Sequence, residues 1–228
     1  MSTRTTLIIG LVLVLLAVAF SSVVYNRLPE RMASHWGVND EVNGFTTRFW
    51  GAFLMPIIAV AMLALFLLVP LIDPMKANIA TFRPIFNGFI VAILAFLLYL
   101  HVLTMLWNLG YQSFRMSTVL LPGLGLIFIF AGLMMRQAKR NFFIGIRTPW
   151  TLSSDRVWAQ THRVGSTLFI ICGLIAVLGI FLPGMIAFTL VIAPLLVASL
   201  SWWSTLIIST SRRPIPDPQA VPAPFMAN

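Results

Sequence analysis

The chain predicts an all-α fold, a polytopic membrane protein built as a bundle of six transmembrane helices. Three observations lead there. Of 228 residues, 59% are hydrophobic and only 9% are charged, against about 25% charged in a soluble domain; mean hydropathy is +0.95. A hydrocarbon core about 30 Å thick is crossed by about 20 apolar residues in a helix. Six stretches meet or approach that length: Leu7–Val24, Trp50–Ile72, Pro84–Trp107, Ser117–Met135, Val164–Leu182 and Met185–Ile208. None carries the ten-residue alternation of a membrane β-strand.

The first stretch holds Ala17-Val18-Ala19, which resembles a signal-peptidase site, but its apolar run continues to Val24. That length spans, so the segment is expected to stay as a helix. Residues 26–49 then form an extracytoplasmic loop. Pro29 can open a short helix there, with turns at Gly37 and at Asn43-Gly44. His35, Asp40 and Glu41 invite a metal site, yet no second His or Cys stands at ligand spacing. A structured cap over the bundle mouth, with Trp36 and Trp50 at the interface, accounts for the loop better, and an extracellular recognition surface for a peptide is the alternative.

In the third span His101, Thr104 and Asn108 fall at i, i+3 and i+7, with Asn87 fourteen residues before His101 on nearly the same face. Such groups in lipid face the bundle interior. Two readings stand: a polar lining for a small cavity, or a neutral His101 hydrogen-bonded to a neighbouring helix. No span interior carries Asp, Glu, Lys or Arg, and Asp73 ends the second. Gly123, Gly125, Gly165, Gly173 and Gly179 suit close helix packing. Leu182-Pro183-Gly184 allows only a tight turn, making the last two spans an antiparallel hairpin. The spans and their loops form one membrane domain over residues 1–210. A disordered tail over 211–228 follows, with five Pro between Pro214 and Pro224.

Net charge is +9, and its placement explains it. With six spans, eleven Lys and Arg fall on the side of both termini: Arg4, Lys76, Arg83, six from Arg136 to Arg163, Arg212 and Arg213. The opposite side has four, Arg27, Arg31, Arg48 and Arg115. The positive-inside rule puts both termini and the 136–163 loop in the cytoplasm. The basic balance therefore implies a bilayer, not nucleic acid. Cys172, the single cysteine, excludes an internal disulfide.

The loop between the fourth and fifth spans is polar, aromatic and basic amid apolar runs. Thr148-Pro149 interrupts any helix arriving from upstream. Ser153 or Ser154 can cap a new helix with Asp155 in its first turn, and this helix is expected to run into the fifth span. On it Asp155, Trp158 and His162 share one face, while Arg156 and Arg163 share the other. An interfacial anchor is one reading, with arginines at lipid phosphates and Trp150 and Trp158 at headgroup depth. A recognition loop is the other. The apolar run from Asn141 to Ile146 between cations suggests a buried or re-entrant segment, which must be covered by protein.

The run Arg140, Asn141, Phe142-Phe143-Ile144, Gly145, Ile146, Arg147, Thr148, Pro149, Trp150, Thr151-Leu152-Ser153, followed by Asp155, Trp158 and Thr161-His162-Arg163, resembles the signature of the SdpI family of bacterial membrane proteins. A looser similarity supports it. Leu28-Pro29, His35-Trp36, Asn39 and Gly44 resemble a short uncharacterised domain that precedes the SdpI segment, with Gly37 and Asp40 departing from its pattern. The resemblance implies immunity to a secreted membrane-active peptide toxin at the bacterial inner membrane. It also implies signalling that holds a cytoplasmic transcriptional repressor at the bilayer.

The chain shows no nucleophile–base set, HExxH, phosphate loop or paired carboxylates. A non-enzymatic protein without cofactor or metal is expected. The alternative is a small transporter or exporter using a polar cavity along the third span. The missing intramembrane charges weigh against that.

Overall fold

The computed structural model describes residues 1–37 and 39–181, together with Ile186 and Thr189. Five long helices are apolar enough to cross a membrane: α1 (Thr3–Val24), α2 (Arg48–Ile72), α4 (Arg83–Asn108), α5 (Met116–Gln137) and α7 (Asp155–Leu178). They coincide with the first five expected spans. The Leu182-Pro183-Gly184 turn, the sixth span and the Pro-rich tail lie outside the described residues. Two short helices, α3 (Lys76–Thr81) and α6 (Pro149–Ser153), sit in connections. The sequence reading had neither.

The loop after α1 corrects an expectation. Pro29 opens no helix. A 3-10 turn at Tyr25–Arg27 leads into an antiparallel hairpin of β1 (Arg31–Trp36) and β2 (Val42–Thr47). Val42, Phe45, Thr46 and Thr47 favour a pleated, half-buried strand over a helix. The turn runs from Gly37 to Glu41, closed by Gly37 N–H on the Glu41 carbonyl at 2.9 Å, with Asp40 at φ 66°. Gly44 lies in β2, not in a turn. It faces His35 at an irregularity in the ladder, where an added Cβ would stand 2.6 Å from the His35 Cβ.

The hairpin is fastened at three points. Met32 is fully buried under α2, close to Gly51. The Asn108 amide reads the Ala33 backbone in both directions, accepting from its N–H at 2.7 Å and donating to its carbonyl at 3.0 Å. This covers the edge of β1. Asp40 accepts from the Ser117 backbone N–H and hydroxyl and pairs with Arg115 at 3.0 Å. Burial alone would raise the Asp40 carboxyl. The Ser117 bonds and the Arg115 cation outweigh it and hold the group below the ordinary carboxylate range.

A depressed folded value gives stability that is present above the unfolded pKa and lost as pH falls through the folded one. Hairpin docking is therefore expected to hold at neutral pH and to loosen only below about pH 4. Asp40→Asn should loosen it at neutral pH and abolish the acid dependence. Hydrogen exchange of the β1 and β2 amides checks this; an unchanged acid dependence in the variant would refute the role given to Asp40.

Polar residues of α4 tie helices together, and of them His101 also lines a small, mostly apolar cavity. His101 lies 2.8 Å from the Ser21 hydroxyl of α1, which itself donates to the Ala52 carbonyl of α2. Asn87, near the other end of α4, donates to the Met1 carbonyl and Thr3 and accepts from Arg83. Thr104 bonds only within its own helix. His101 makes the bond to a neighbouring helix that one reading names, and it also lines a small cavity as in the other.

α5 and α7 pack along their whole length through small residues. A Cβ on Gly125 would meet the Gly173 carbonyl at 2.6 Å, and the reverse distance is also 2.6 Å. A Cβ on Gly132, which the sequence reading passed over, would meet the Ser166 carbonyl at 2.7 Å. Without a hydrophobic drive between helices in lipid, backbone approach of this kind supplies the contact. It also fixes the height of α7 against α5, and with it the loop that joins them.

Candidate functional site

The chain leaves α5 at Gln137 and reaches α7 at Asp155 through a segment folded on itself by a few buried polar groups. Asn141 is wholly buried. Its Nδ2 donates to the Lys139 and Ile144 carbonyls at 2.8 and 3.0 Å, and its Oδ1 accepts from the Phe143 and Ile144 N–H groups at 2.9 and 2.6 Å. Four bonds fill the capacity of one amide, so Asn141 stands in for the backbone partners this turn lacks. Gly145 follows at φ +106°.

The start of α7 closes over that turn. The Trp158 indole N–H donates to the Ala138 carbonyl at 2.8 Å, tying α7 to the end of α5. His162 stacks on Trp158, ring centroids 3.9 Å apart at 17°. Its Nε2 accepts from the Ile146 N–H at 3.1 Å, so the proton sits on Nδ1 and is donated to the Trp158 carbonyl at 2.9 Å. A neutral imidazole satisfies both bonds. Next, Thr148 caps α6 in a reciprocal capping box with Thr151, and Pro149 takes the first helical position. Ser154 caps α7 through Val157 N–H. As the spacing predicts, one helix continues from this cap into the fifth span.

Two residues outside the loop hold it in place, and sequence reasoning missed their role. Asp73, 2% exposed at the end of α2, accepts from Met75 N–H at 2.6 Å and from Phe142 N–H at 2.9 Å. Asn78 of α3 donates to the Arg140 carbonyl at 2.8 Å. The only signal in the sequence was that Asp73 is one of six carboxylates and closes a span. Its partner is 69 positions away.

The expected site residues thus divide. Asn141, Gly145, Trp158, Thr161 and His162 are buried or packed inside. Arg140 bridges, with Nη1 on the Leu152 carbonyl and Nε 3.0 Å from Asp155. Asp155 stays largely exposed beside the Trp158–His162 face. Arg147, Pro149, Trp150 and Arg163 are exposed, and Arg147 is steadied by a bond to the Phe142 carbonyl at 2.9 Å. The apolar run is not fully buried: Ile144 is inside, but Phe142 and Phe143 are 43% and 38% exposed. At the opposite end of the bundle, His35 bonds Asn43, and Trp36 packs edge-on to Trp107. The loop and the hairpin are separate surfaces. No group of three metal-ligating side chains exists among the described residues.

A cleft of about 810 Å³ opens beside the loop, lined among others by Arg136, Lys139, Arg140, Asp155, His162 and Arg163. It has polar walls and strong positive charge, and no nucleophile is aligned with a base there.

Comparison with known proteins follows these boundaries. Residues 137–208 match the SdpI/YfhL protein family, starting where α5 ends. Residues 12–60 match a domain of unknown function, DUF1648, which here comprises much of α1, the hairpin and the first half of α2. The chain is 28% identical over 195 residues to immunity protein SdpI of Bacillus subtilis (strain 168), covering 85% of this chain and 91% of that protein. No solved structure matches the chain. With the two segments in this order, and a similarity running along most of both chains, this multi-pass membrane protein carries an SdpI/YfhL-type segment and resembles the immunity protein SdpI over most of its length.

Proposed function

We propose that the protein is a non-enzymatic membrane immunity protein that protects a bacterium against a secreted, membrane-active peptide. The observation that carries this is the similarity to an immunity protein along 85% of the chain. The charge asymmetry, eleven cations against four, supports an inner-membrane topology with both termini and the 136–163 loop in the cytoplasm. The hairpin then faces outward, where a peptide arrives. The exposed Arg147, Trp150 and Arg156 form the inner surface on which a cytoplasmic repressor docks. Trp158, His162 and Asn141 keep that surface in shape and touch no partner.

Expression in a bacterium sensitive to a membrane-active peptide tests both levels. Cells making the protein should survive the peptide at several times the dose that kills controls. The Arg147→Ala/Trp150→Ala protein should reach normal membrane abundance and lose repressor retention, seen as fluorescent repressor leaving the membrane. Asn141→Ala should instead lower abundance. If the wild-type chain gives no protection against any of several such peptides, the immunity reading fails. If the exposed double variant still retains the repressor, the docking surface is elsewhere.

A further inference from the structure

The cleft beside the loop has a chemistry that immunity does not explain. Arg136, Lys139 and Arg163 are exposed on its rim. They make no ion pair among the described residues. The one carboxylate in the cleft, Asp155, is already engaged by Arg140. His162 adds no charge, because Nε2 accepts from Ile146 while Nδ1 faces the Trp158 carbonyl. Three cations thus surround one open polar space and have no counter-charge among the described residues.

Depth identifies what supplies it. α7 and its 3-10 extension end at Phe181, and about 20 residues cross the hydrocarbon core. Counting back from Phe181 places His162 and Arg163 at the boundary between acyl chains and headgroups. The same count along α5, from Met116, places Arg136 at that boundary. One turn further into the membrane, Leu133 is exposed on α5. On α7, Val164 and Ile171 are exposed, two turns apart. Cations at headgroup depth above apolar, open helix surface fit an amphiphile with an anionic head.

We propose that this cleft seats the phosphate headgroup of an anionic phospholipid. Arg136, Lys139 and Arg163 contact the phosphate, and the acyl chains lie along Leu133, Val164 and Ile171. A guanidinium binds phosphate oxygens in a bidentate fork, so the two arginines supply most of the recognition. The bound lipid would bridge the end of α5 and the start of α7 next to the Trp158–Ala138 bond. The proposal is independent of any toxin.

The full chain, purified in a zwitterionic detergent and titrated with phosphatidylglycerol or phosphatidylcholine, tests it by thermal unfolding and native mass spectrometry. Phosphatidylglycerol should bind and raise the midpoint, and phosphatidylcholine should not. Near a membrane surface each cation contributes enough that Arg136→Gln/Arg163→Gln should weaken phosphatidylglycerol binding about 30-fold. Arg4→Gln/Lys76→Gln, at the same end but outside the cleft, should leave it within about 3-fold. Arg136→Lys/Arg163→Lys keeps the charge and serves as a folded control, with partial retention expected. Equal binding of both lipids, equal loss in the two glutamine variants, or saturation by inorganic phosphate alone would each overturn the assignment.

Discussion

Replacing Gly145 with alanine is expected to unfold the loop against α7 and to cost about 2–5 kcal/mol. Two effects act at the same residue. At φ +106° an L side chain is strained by about 1–2 kcal/mol. A Cβ there would also clash with the His162 imidazole, deep inside van der Waals contact with Nε2, the atom that accepts from Ile146. The ring cannot retreat, because it is stacked on Trp158 and bonded to the Trp158 carbonyl. Gly110 separates the two effects. It has φ +96° but open space around it, so Gly110→Ala should show the backbone cost alone. Urea unfolding in detergent, followed by tryptophan emission, gives both values. In a His162→Ala background the alanine at 145 should cost only the Gly110-like amount, since overlap is what couples the pair. Equal costs for Gly145→Ala and Gly110→Ala would remove the claim that the imidazole sets this turn.

Gly173→Leu should be as damaging, from the other side of the site. The nearest atoms to an added Cβ are the Gly125 carbonyl at 2.6 Å and Ile129 at 2.6 Å. One of these is backbone in a helix and cannot rotate away, so α5 and α7 must separate. Overpacking at a rigid position costs about 1–3 kcal/mol for a small excess, and a leucine between two backbones reaches the upper tail of about 4–5 kcal/mol. The site should then fail at a distance. α7 carries Trp158 and His162 into the loop, and any shift breaks the indole bond to Ala138. Gly10→Ala is the comparison, because its neighbours are the ends of the flexible Leu63 and Leu94 side chains at 3.0 to 3.1 Å. That change should cost under about 1.5 kcal/mol. A cross-link between cysteines placed at the ends of α5 and α7, formed in wild type and lost in Gly173→Leu, reads the separation directly. Persistence of the cross-link in the variant would show that the helices tolerate the insertion.

Both results bear on how the loop works. Its interior is closed by hydrogen bonds that leave little spare capacity, while Arg147, Trp150 and the cations of the cleft remain outward. The docking surface proposed for this loop needs a rigid support more than it needs reactive groups. The polar residues inside serve that end, and this separates substitutions that alter abundance from those that alter partner contact.

The positions of the long helices were legible in the sequence because lipid imposes one rule on every residue of a span. A run of about 20 apolar side chains has few alternatives to a crossing helix. The loop after the fourth span stood out for the opposite reason: its polar and aromatic residues are costly in lipid and called for a partner. Local chemistry fixed the break at Thr148-Pro149, the cap at Ser154 and the shared face of Trp158 and His162. The sequence favours a short helix from Pro29 with turns at Gly37 and Asn43-Gly44 over the hairpin, because the alternation in β1 is interrupted by its irregular register and the signal of β2 rests on only a few residues.

Partners were beyond reach of the sequence, since a hydrogen bond depends on where two distant segments meet. Nothing near Asp73 names Phe142, and nothing near Asn108 names Ala33. Likewise a glycine reads as small wherever it stands. Only packing shows that Gly125 and Gly173 touch backbone to backbone while Gly145 lies under an imidazole. Sequence by itself determined which residues must leave water and which resist lipid, because transfer free energy belongs to each side chain alone. Tertiary structure decided which buried polar groups satisfy one another, because that choice is made by distances between elements, and no single segment contains them.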